Sequence, residues 1–275
     1  MKRLALLLPS SPSPPRRRKT PPRTRSERHP MTEITQNLIR YPRPTRLSDP
    51  GCDFTPEECA AILAVPDDRL GWPELGNIFQ GFLPAGTYEE CAYFIPRAVR
   101  FIDERGDCAS DLAKNFLDWA GEQRAELEAD GLFAPIRAHM QELLRACLSE
   151  FRIRFGTRPG RNVPSPADAS LVESLVLGLN GTPRGYGTCP FGKAATPVVL
   201  DAVGGLRAAA AAAWFAEFSS PQFLMGDELD APLYEMLSDT SNIARAKALL
   251  QDVILRDSPL ADYCRKESLV SKLWE

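Results

Sequence analysis

Histidine is nearly absent from this chain of 275 residues, which contains only His29 and His139. A metal site built from several histidines is therefore excluded. Histidine-based catalysis would have to depend on His139, because His29 belongs to a basic, proline-rich stretch at the amino terminus. A single histidine without a placed partner indicates no mechanism, so a structural role for His139 is the simpler interpretation.

Two further absences exclude whole classes of protein. No Cys-x-x-Cys pair occurs among the seven cysteines, which removes the common zinc-binding and thiol-redox spacings. No apolar run approaches the roughly 18 residues that a membrane-spanning helix needs. The cysteines are irregularly spaced, and several fall within apolar helical patterns, as expected of small hydrophobic residues in a reducing compartment. We therefore expect a cytoplasmic protein without a metal, a cofactor or a membrane segment.

Charge is unevenly distributed along the chain. Residues 1–30 contain nine of the 33 Lys and Arg side chains, one of the 36 acidic side chains and seven of the 25 prolines. The other residues hold 24 basic and 35 acidic side chains, a net charge of −11. The basic tail cannot bury enough apolar surface to offset its ordering entropy, so we expect it to be disordered. It is interpreted as a dispensable extension before a start at Met31, with a targeting segment or a nucleic-acid-binding arm as alternatives.

Local helix signals are frequent. Thr55 and Thr87 each precede a Glu by three residues, which is the capping-box pattern that starts a helix. Pro96 lies inside the second pattern and predicts a kink or a break. The longest amphipathic stripe steps by three or four residues: Phe133, Ile136, Met140, Leu143, Cys147 and Phe151. Further helices are predicted to begin near Ser110, Arg207, Ser241 and Ser258, with Ser241 and Ser258 as N-caps.

These signals predict a mainly α fold, a multi-helix globular bundle preceded by a disordered basic tail. A small β element could lie near residues 70–87 or 171–200, where Gly and Pro are frequent. The predicted organisation has four parts: a tail and lead-in at 1–46, a helical region at 47–156, a linker or long loop at 157–169 and a helical region at 170–275. Periodicity alone does not decide whether the two helical regions share one core.

The sharpest chemical motif is the glycine-rich stretch at 181–193. From Gly187 to Lys193 it matches the G-x-x-x-x-G-K part of the phosphate-binding loop, but Ala194 stands where a Ser or Thr should bind Mg²⁺. The stretch is therefore interpreted as a glycine-rich surface loop. Phosphate binding by basic side chains and backbone N–H groups is the alternative. The candidate ligand-binding residues are then Arg184, Gly187, Gly192 and Lys193.

One part of the chain is unusually rich in aromatic residues. Exposed aromatic side chains would form an interaction surface, whereas buried ones would belong to the core, which is the default for such clusters. The candidate partner-binding residues are Trp72, Phe79, Phe82, Tyr88 and Tyr93.

No motif in the sequence identifies an activity. The leading expectation is a protein-binding or regulatory module rather than an enzyme, whose acidic body favours a basic protein partner. One alternative is a phosphate-ligand-binding protein or enzyme that uses the loop at 181–193. The other is a nucleic-acid-associated protein that acts through residues 1–30, because the acidic body itself would repel a polyanion.

Overall fold

A computed structural model describes most of the chain. The described residues are 30–38, 40–48, 54–80, 84–158, 161–181, 190–219, 230–256, 258–266 and 273. In chain order their elements are α1 (Pro30–Asn37), α2 (Pro56–Ala64), α3 (Trp72–Ile78), α4 (Tyr88–Ala92), α5 (Ile95–Asp103), α6 (Ala109–Glu122), α7 (Arg124–Ala129), α8 (Phe133–Ser149), β1 (Ile153–Arg158), β2 (Arg161–Pro166), α9 (Ala169–Asn180), α10 (Thr196–Val199), α11 (Ala209–Phe218), α12 (Ala231–Ser238), α13 (Thr240–Ile254) and α14 (Pro259–Lys266).

The predicted fold class is confirmed, since helices dominate and β1 and β2 form a single antiparallel pair. The small β element is not where the sequence placed it. The described parts of 70–87 and 171–200 contain helices, including α3 and α9. None of the described helices is both long and apolar enough to cross a membrane. The expected disorder of the tail falls on residues 1–29, which lie outside the described part.

The predicted helix starts are confirmed where the capping chemistry is local. At α2 the Thr55 hydroxyl accepts a hydrogen bond from the Glu58 N–H, and the Glu58 carboxylate accepts one from the Thr55 N–H. At α4 only half of the box forms: the Glu90 carboxylate accepts a hydrogen bond from the Thr87 N–H at 3.0 Å, whereas the Thr87 hydroxyl makes no capping hydrogen bond. Pro96 does separate two helices, α4 and α5, and it occupies the first turn of α5, where its missing N–H costs nothing.

One predicted cap is wrong. The sequence assigned the N-cap of α13 to Ser241, but Asp239 holds that position and its carboxylate accepts a hydrogen bond from the Ser241 N–H at 2.7 Å. Both residue types favour N-caps, and the ionised Asp also interacts favourably with the positive end of the helix dipole. Ser258 acts as predicted, since its hydroxyl accepts a hydrogen bond from the Ala261 N–H.

A β-hairpin occupies the segment that the sequence interpreted as a linker. Strand β1 pairs with β2 from Ile153 opposite Pro166 to Arg158 opposite Arg161. A strand signal was present, because apolar and basic residues alternate from Phe151 to Phe155 and a Pro-Gly pair follows. The prolines and glycines of this stretch obscured the alternation.

The two predicted helical regions share one core. Buried apolar side chains from Ile34 to Leu273 form a single connected cluster. The predicted lead-in belongs to it as well, because Ile34 on α1 is fully buried and Leu38 is nearly so. The hydroxyls of Tyr41 and Tyr88 both donate hydrogen bonds to Asp130. These bonds connect the segment after α1 to the start of α4 and to the end of α7.

Helices α6 and α9 run side by side in the same direction through the middle of the core. A polar pocket near their amino-terminal ends is lined by Ser110 of α6 and Ser170 of α9. Two turns further on, Leu117 of α6 packs directly on Gly178 of α9. A Cβ atom at position 178 would lie only 2.5 Å from Leu117 Cδ1, so glycine permits this close approach. The parallel arrangement brings two helix N-termini to one place.

Candidate functional site

A polar pocket of about 220 Å³ opens where α6 and α9 begin. The loop between α5 and α6 forms one side, and the end of the hairpin with the start of α9 forms the other. We call it the Arg105 pocket. Its lining residues are Arg105, Gly106, Asp107, Cys108, Ala109, Ser110, Arg154, Ala167, Asp168, Ser170 and Leu171.

Neither helix at the pocket is capped by a side chain. Cys108 holds the N-cap position of α6 and Asp168 that of α9, and neither side chain accepts a hydrogen bond from the first turn of its helix. The first N–H groups of a helix have no partner within the helix. Both macrodipoles also have their positive ends here, so their fields add and favour a negative charge in the pocket.

The guanidinium of Arg105 is the main cationic group of the pocket. Its side chain is 14% exposed, and its Nη1 lies 3.7 Å from both Glu150 Oε2 and Asp168 Oδ2. These distances are longer than a hydrogen bond. With the described residues the guanidinium makes no hydrogen bond, although it carries five donors in a fixed fork. Arg154 adds a second positive charge, and it forms no ion pair within the described part of the chain.

Asp168 is the most deeply buried charged group at the pocket. Its side chain is 2% exposed, and its Oδ2 atom has no hydrogen-bond partner among the described residues. Burial raises the pKa of the Asp168 carboxyl, while Arg152 and Arg105 act in the opposite direction. An Asp at an N-cap ordinarily accepts from its own helix. This one is instead placed between two arginines, with one oxygen unused.

The loop on the α5 side has an unusual backbone. Arg105 and Cys108 both have left-handed φ values, 51° and 64°, which residues other than glycine seldom adopt. Both residues lie in the short connection between α5 and α6. Cys108 is partly exposed, whereas the other cysteines of the described part are buried.

The predicted glycine-rich loop is only partly described. Arg184 and Gly187 lie outside the described residues. Gly192 has a left-handed φ of 64°, and Lys193 forms an ion pair with Asp230. The helix α9 precedes this stretch, whereas a phosphate-binding loop of the nucleotide-binding kind follows a strand.

The predicted aromatic set lies within or against the core. Phe79 is fully buried and makes edge contacts with Phe116 and Trp119. Three other members of the aromatic set are partly buried and pack against the hydrophobic core: Trp72, Tyr88 and Tyr93. Phe82 falls outside the described residues. The buried alternative therefore holds for Phe79, which has no exposed surface, whereas a partner-binding role of Trp72, Tyr88 and Tyr93 stays a prediction.

Other candidate chemistry has structural explanations. His139 is 5% exposed, and its Nε2 lies 2.9 Å from Asp103 Oδ1, which joins α8 to the end of α5. In the part of the chain that the structure describes, no group of three or more His, Cys, Asp or Glu side chains could hold a metal ion.

Sequence reasoning missed the Arg105 pocket. Its two halves, Arg105 to Ser110 and Ala167 to Leu171, are about sixty residues apart in the chain. Two weak signals were available: an Arg-Gly-Asp sequence before the helix predicted near Ser110, and Asp168, a residue type that favours N-caps, just before a run of apolar residues. Neither indicates a site until the fold brings α6 and α9 together.

Comparison of the chain with protein-family models, with curated proteins and with solved structures found no match. The geometry of the Arg105 pocket is therefore the basis for inferring the function.

Proposed function

We propose that this protein binds a small molecule that carries an acidic group, and that the Arg105 pocket is its binding site. The observation that carries the proposal is the Arg105 guanidinium, a largely buried group with no hydrogen bond to the described residues. Its donors suit a carboxylate or phosphate, which accept from guanidinium in a bidentate manner.

The surroundings of Arg105 support the same ligand chemistry. Uncapped first turns of α6 and α9 add unsatisfied N–H groups and the positive ends of two dipoles. Ser110 and Ser170 supply hydroxyl groups at the same two helix starts. The volume of about 220 Å³ lies below the range usual for drug-sized ligands, so the ligand is a small metabolite rather than a nucleotide or a peptide.

The experiment is a thermal-shift series with sodium phosphate, sulfate and acetate at constant ionic strength. Three proteins are compared: the wild type, Arg105→Gln, and Arg256→Gln as the matched control. Arg256 is an exposed arginine of the C-terminal part, paired with Asp252, so its loss changes the net charge equally without touching the pocket.

We expect at least one of these anions to raise the Tm of the wild type and of Arg256→Gln to the same extent, and not that of Arg105→Gln. Specific binding stabilises by RT ln(1 + [L]/Kd), so above the Kd the stabilisation grows only with the logarithm of the anion concentration. General salt effects grow steadily and would act on all three proteins alike. Equal responses in the wild type and Arg105→Gln would contradict the proposal.

A further inference from the structure

The charges that line the Arg105 pocket are balanced. Arg105 and Arg154 are positive, and Asp107 and Asp168 are negative. A pocket that binds a simple anion would have a higher affinity without any carboxylate, because a buried carboxylate repels a negatively charged ligand. Asp168 is 2% exposed and therefore cannot turn away into solvent. Its presence needs an explanation beyond the binding of an acidic group.

The unused oxygen of Asp168 supplies that explanation. A buried carboxylate oxygen without a donor costs free energy, and a ligand that brings a donor removes this cost. Oδ2 lies 3.7 Å from Arg105 Nη1, which is close enough for one small ligand to reach both atoms and too far for them to satisfy each other. A positive donor on the ligand would also balance the negative charge of Asp168.

We infer that the ligand is a zwitterion of the α-amino acid type. Its carboxylate binds Arg105 and the N–H groups at the starts of α6 and α9, and its ammonium donates to Asp168 Oδ2. The two charged groups of such a molecule are separated by one carbon, which matches the short spacing between the Arg105 guanidinium and the Asp168 carboxylate. The long ion pair between Arg105 and Asp168 is thereby replaced by two direct contacts. This inference depends on the proposed function and specifies its ligand class.

The test compares two molecules that differ in one group, L-alanine and propionate. Calorimetric titration of each into the wild type measures the contribution of the ammonium. A charge-assisted hydrogen bond in a buried setting predicts that L-alanine binds at least about tenfold more tightly. In Asp168→Asn this preference disappears, because the amide no longer matches an ammonium in charge. In Arg105→Gln neither molecule binds.

Two further variants are controls, one for misfolding and one for general charge effects. Asp168→Glu keeps the carboxylate and restores part of the preference for L-alanine if Asp168 contacts the ammonium. Asp252→Asn removes an exposed acid of α13, outside the pocket, and leaves the preference unchanged. Circular dichroism and the Tm establish that each variant is folded before it is titrated.

The outcomes separate this inference from the proposed function. Equal affinity of the wild type for L-alanine and propionate, with binding that still requires Arg105, overturns the zwitterion and leaves the anion-binding proposal standing. A preference that survives in Asp168→Asn overturns the role of Asp168. Absence of binding of both molecules and of every inorganic anion overturns both proposals together.

Discussion

Leu117 of α6 and Gly178 of α9 are in direct contact, with no room for a side chain between the two helices. A Cβ atom at position 178 would lie 2.5 Å from Leu117 Cδ1 and 2.9 Å from Leu117 Cβ. Leu117 is 1% exposed and cannot move outwards. This contact sets the distance between the two parallel helices whose first turns form the Arg105 pocket.

Gly178→Ala should therefore lower the free energy of unfolding by about 1–3 kcal/mol, as overpacking of a core does. Urea unfolding measures the change. Gly106→Ala is the matched control, because a Cβ at position 106 meets nothing within 4 Å and the backbone there does not have a positive φ. A loss of stability in Gly106→Ala as large as that in Gly178→Ala would contradict the explanation.

Asp130 should stabilise the fold in a pH-dependent way. Burial raises the pKa of Asp130, but hydrogen bonds from Tyr41, Tyr88 and Arg40 outweigh this effect and hold the pKa below its ordinary value of 3.8. A carboxyl group with a lowered pKa contributes stability above its ordinary pKa, and the contribution disappears as the pH falls through the folded-state value.

Asp130→Asn is accordingly expected to cost about 1–3 kcal/mol at pH 7, and the difference from the wild type should shrink below about pH 4. Urea unfolding from pH 7 down to the lowest pH at which both proteins fold measures it. A difference that stays constant with pH would show that the charge of Asp130 plays no part.

Tyr263 supplies a hydrogen-bond donor to the buried carboxyl group of Glu217. Its hydroxyl donates a hydrogen bond to Glu217 Oε1 at 2.6 Å, and the two residues are 2% and 8% exposed. Tyr263→Phe removes this donor from a buried carboxyl and should cost about 1–3 kcal/mol in chemical unfolding. Tyr234 is 61% exposed, so Tyr234→Phe should change stability by less than about 0.5 kcal/mol. Equal effects of the two substitutions would refute the assignment.

Cys108 should be the first of the described cysteines to react with iodoacetamide in the native protein. It is partly exposed, whereas Cys59, Cys91, Cys147 and Cys264 are buried. Burial raises the pKa of the Cys91 and Cys147 thiols to about 12 and that of Cys264 to about 11, which removes their reactive thiolate forms.

Peptide mapping by mass spectrometry reads each cysteine separately. We expect carbamidomethyl Cys108 to accumulate while the four buried cysteines stay unmodified until denaturant is added. Faster labelling of any buried cysteine than of Cys108 would contradict the described packing.

The sequence predicts those parts of the fold whose signals are local. Three kinds of signal involve residues only a few positions apart, so short-range chemistry decides them. They are the capping patterns at Thr55 and Thr87, the break at Pro96 and the apolar stripe along α8. The hairpin was missed because its prolines and glycines suggested a loop. Asp239 was missed because Ser241, two residues later, is an equally good cap by residue type.

The site depends on contacts that no local pattern contains. The pocket exists because Gly178 lets α9 approach α6, and because both helices start at the same level. The expectations of a basic protein partner, of a cytoplasmic location and of a nucleic-acid-binding tail depend on charge and composition alone, and they stay predictions. Phosphate binding by the loop at 181–193 also stays a prediction.

The most direct test of the central claim is the rate of Cys108 alkylation by iodoacetamide, measured with and without phosphate, sulfate or acetate, each in turn and at constant ionic strength. Iodoacetamide is uncharged, so an anion slows it only by occupying the pocket that Cys108 lines. Because only the unoccupied fraction reacts, we expect at least one of the three anions to lower the rate about tenfold at about ten times its Kd, and not to change the rate in Arg105→Gln. A wild-type rate that none of the three anions alters, or a decrease that is equal in Arg105→Gln, would contradict binding at this pocket.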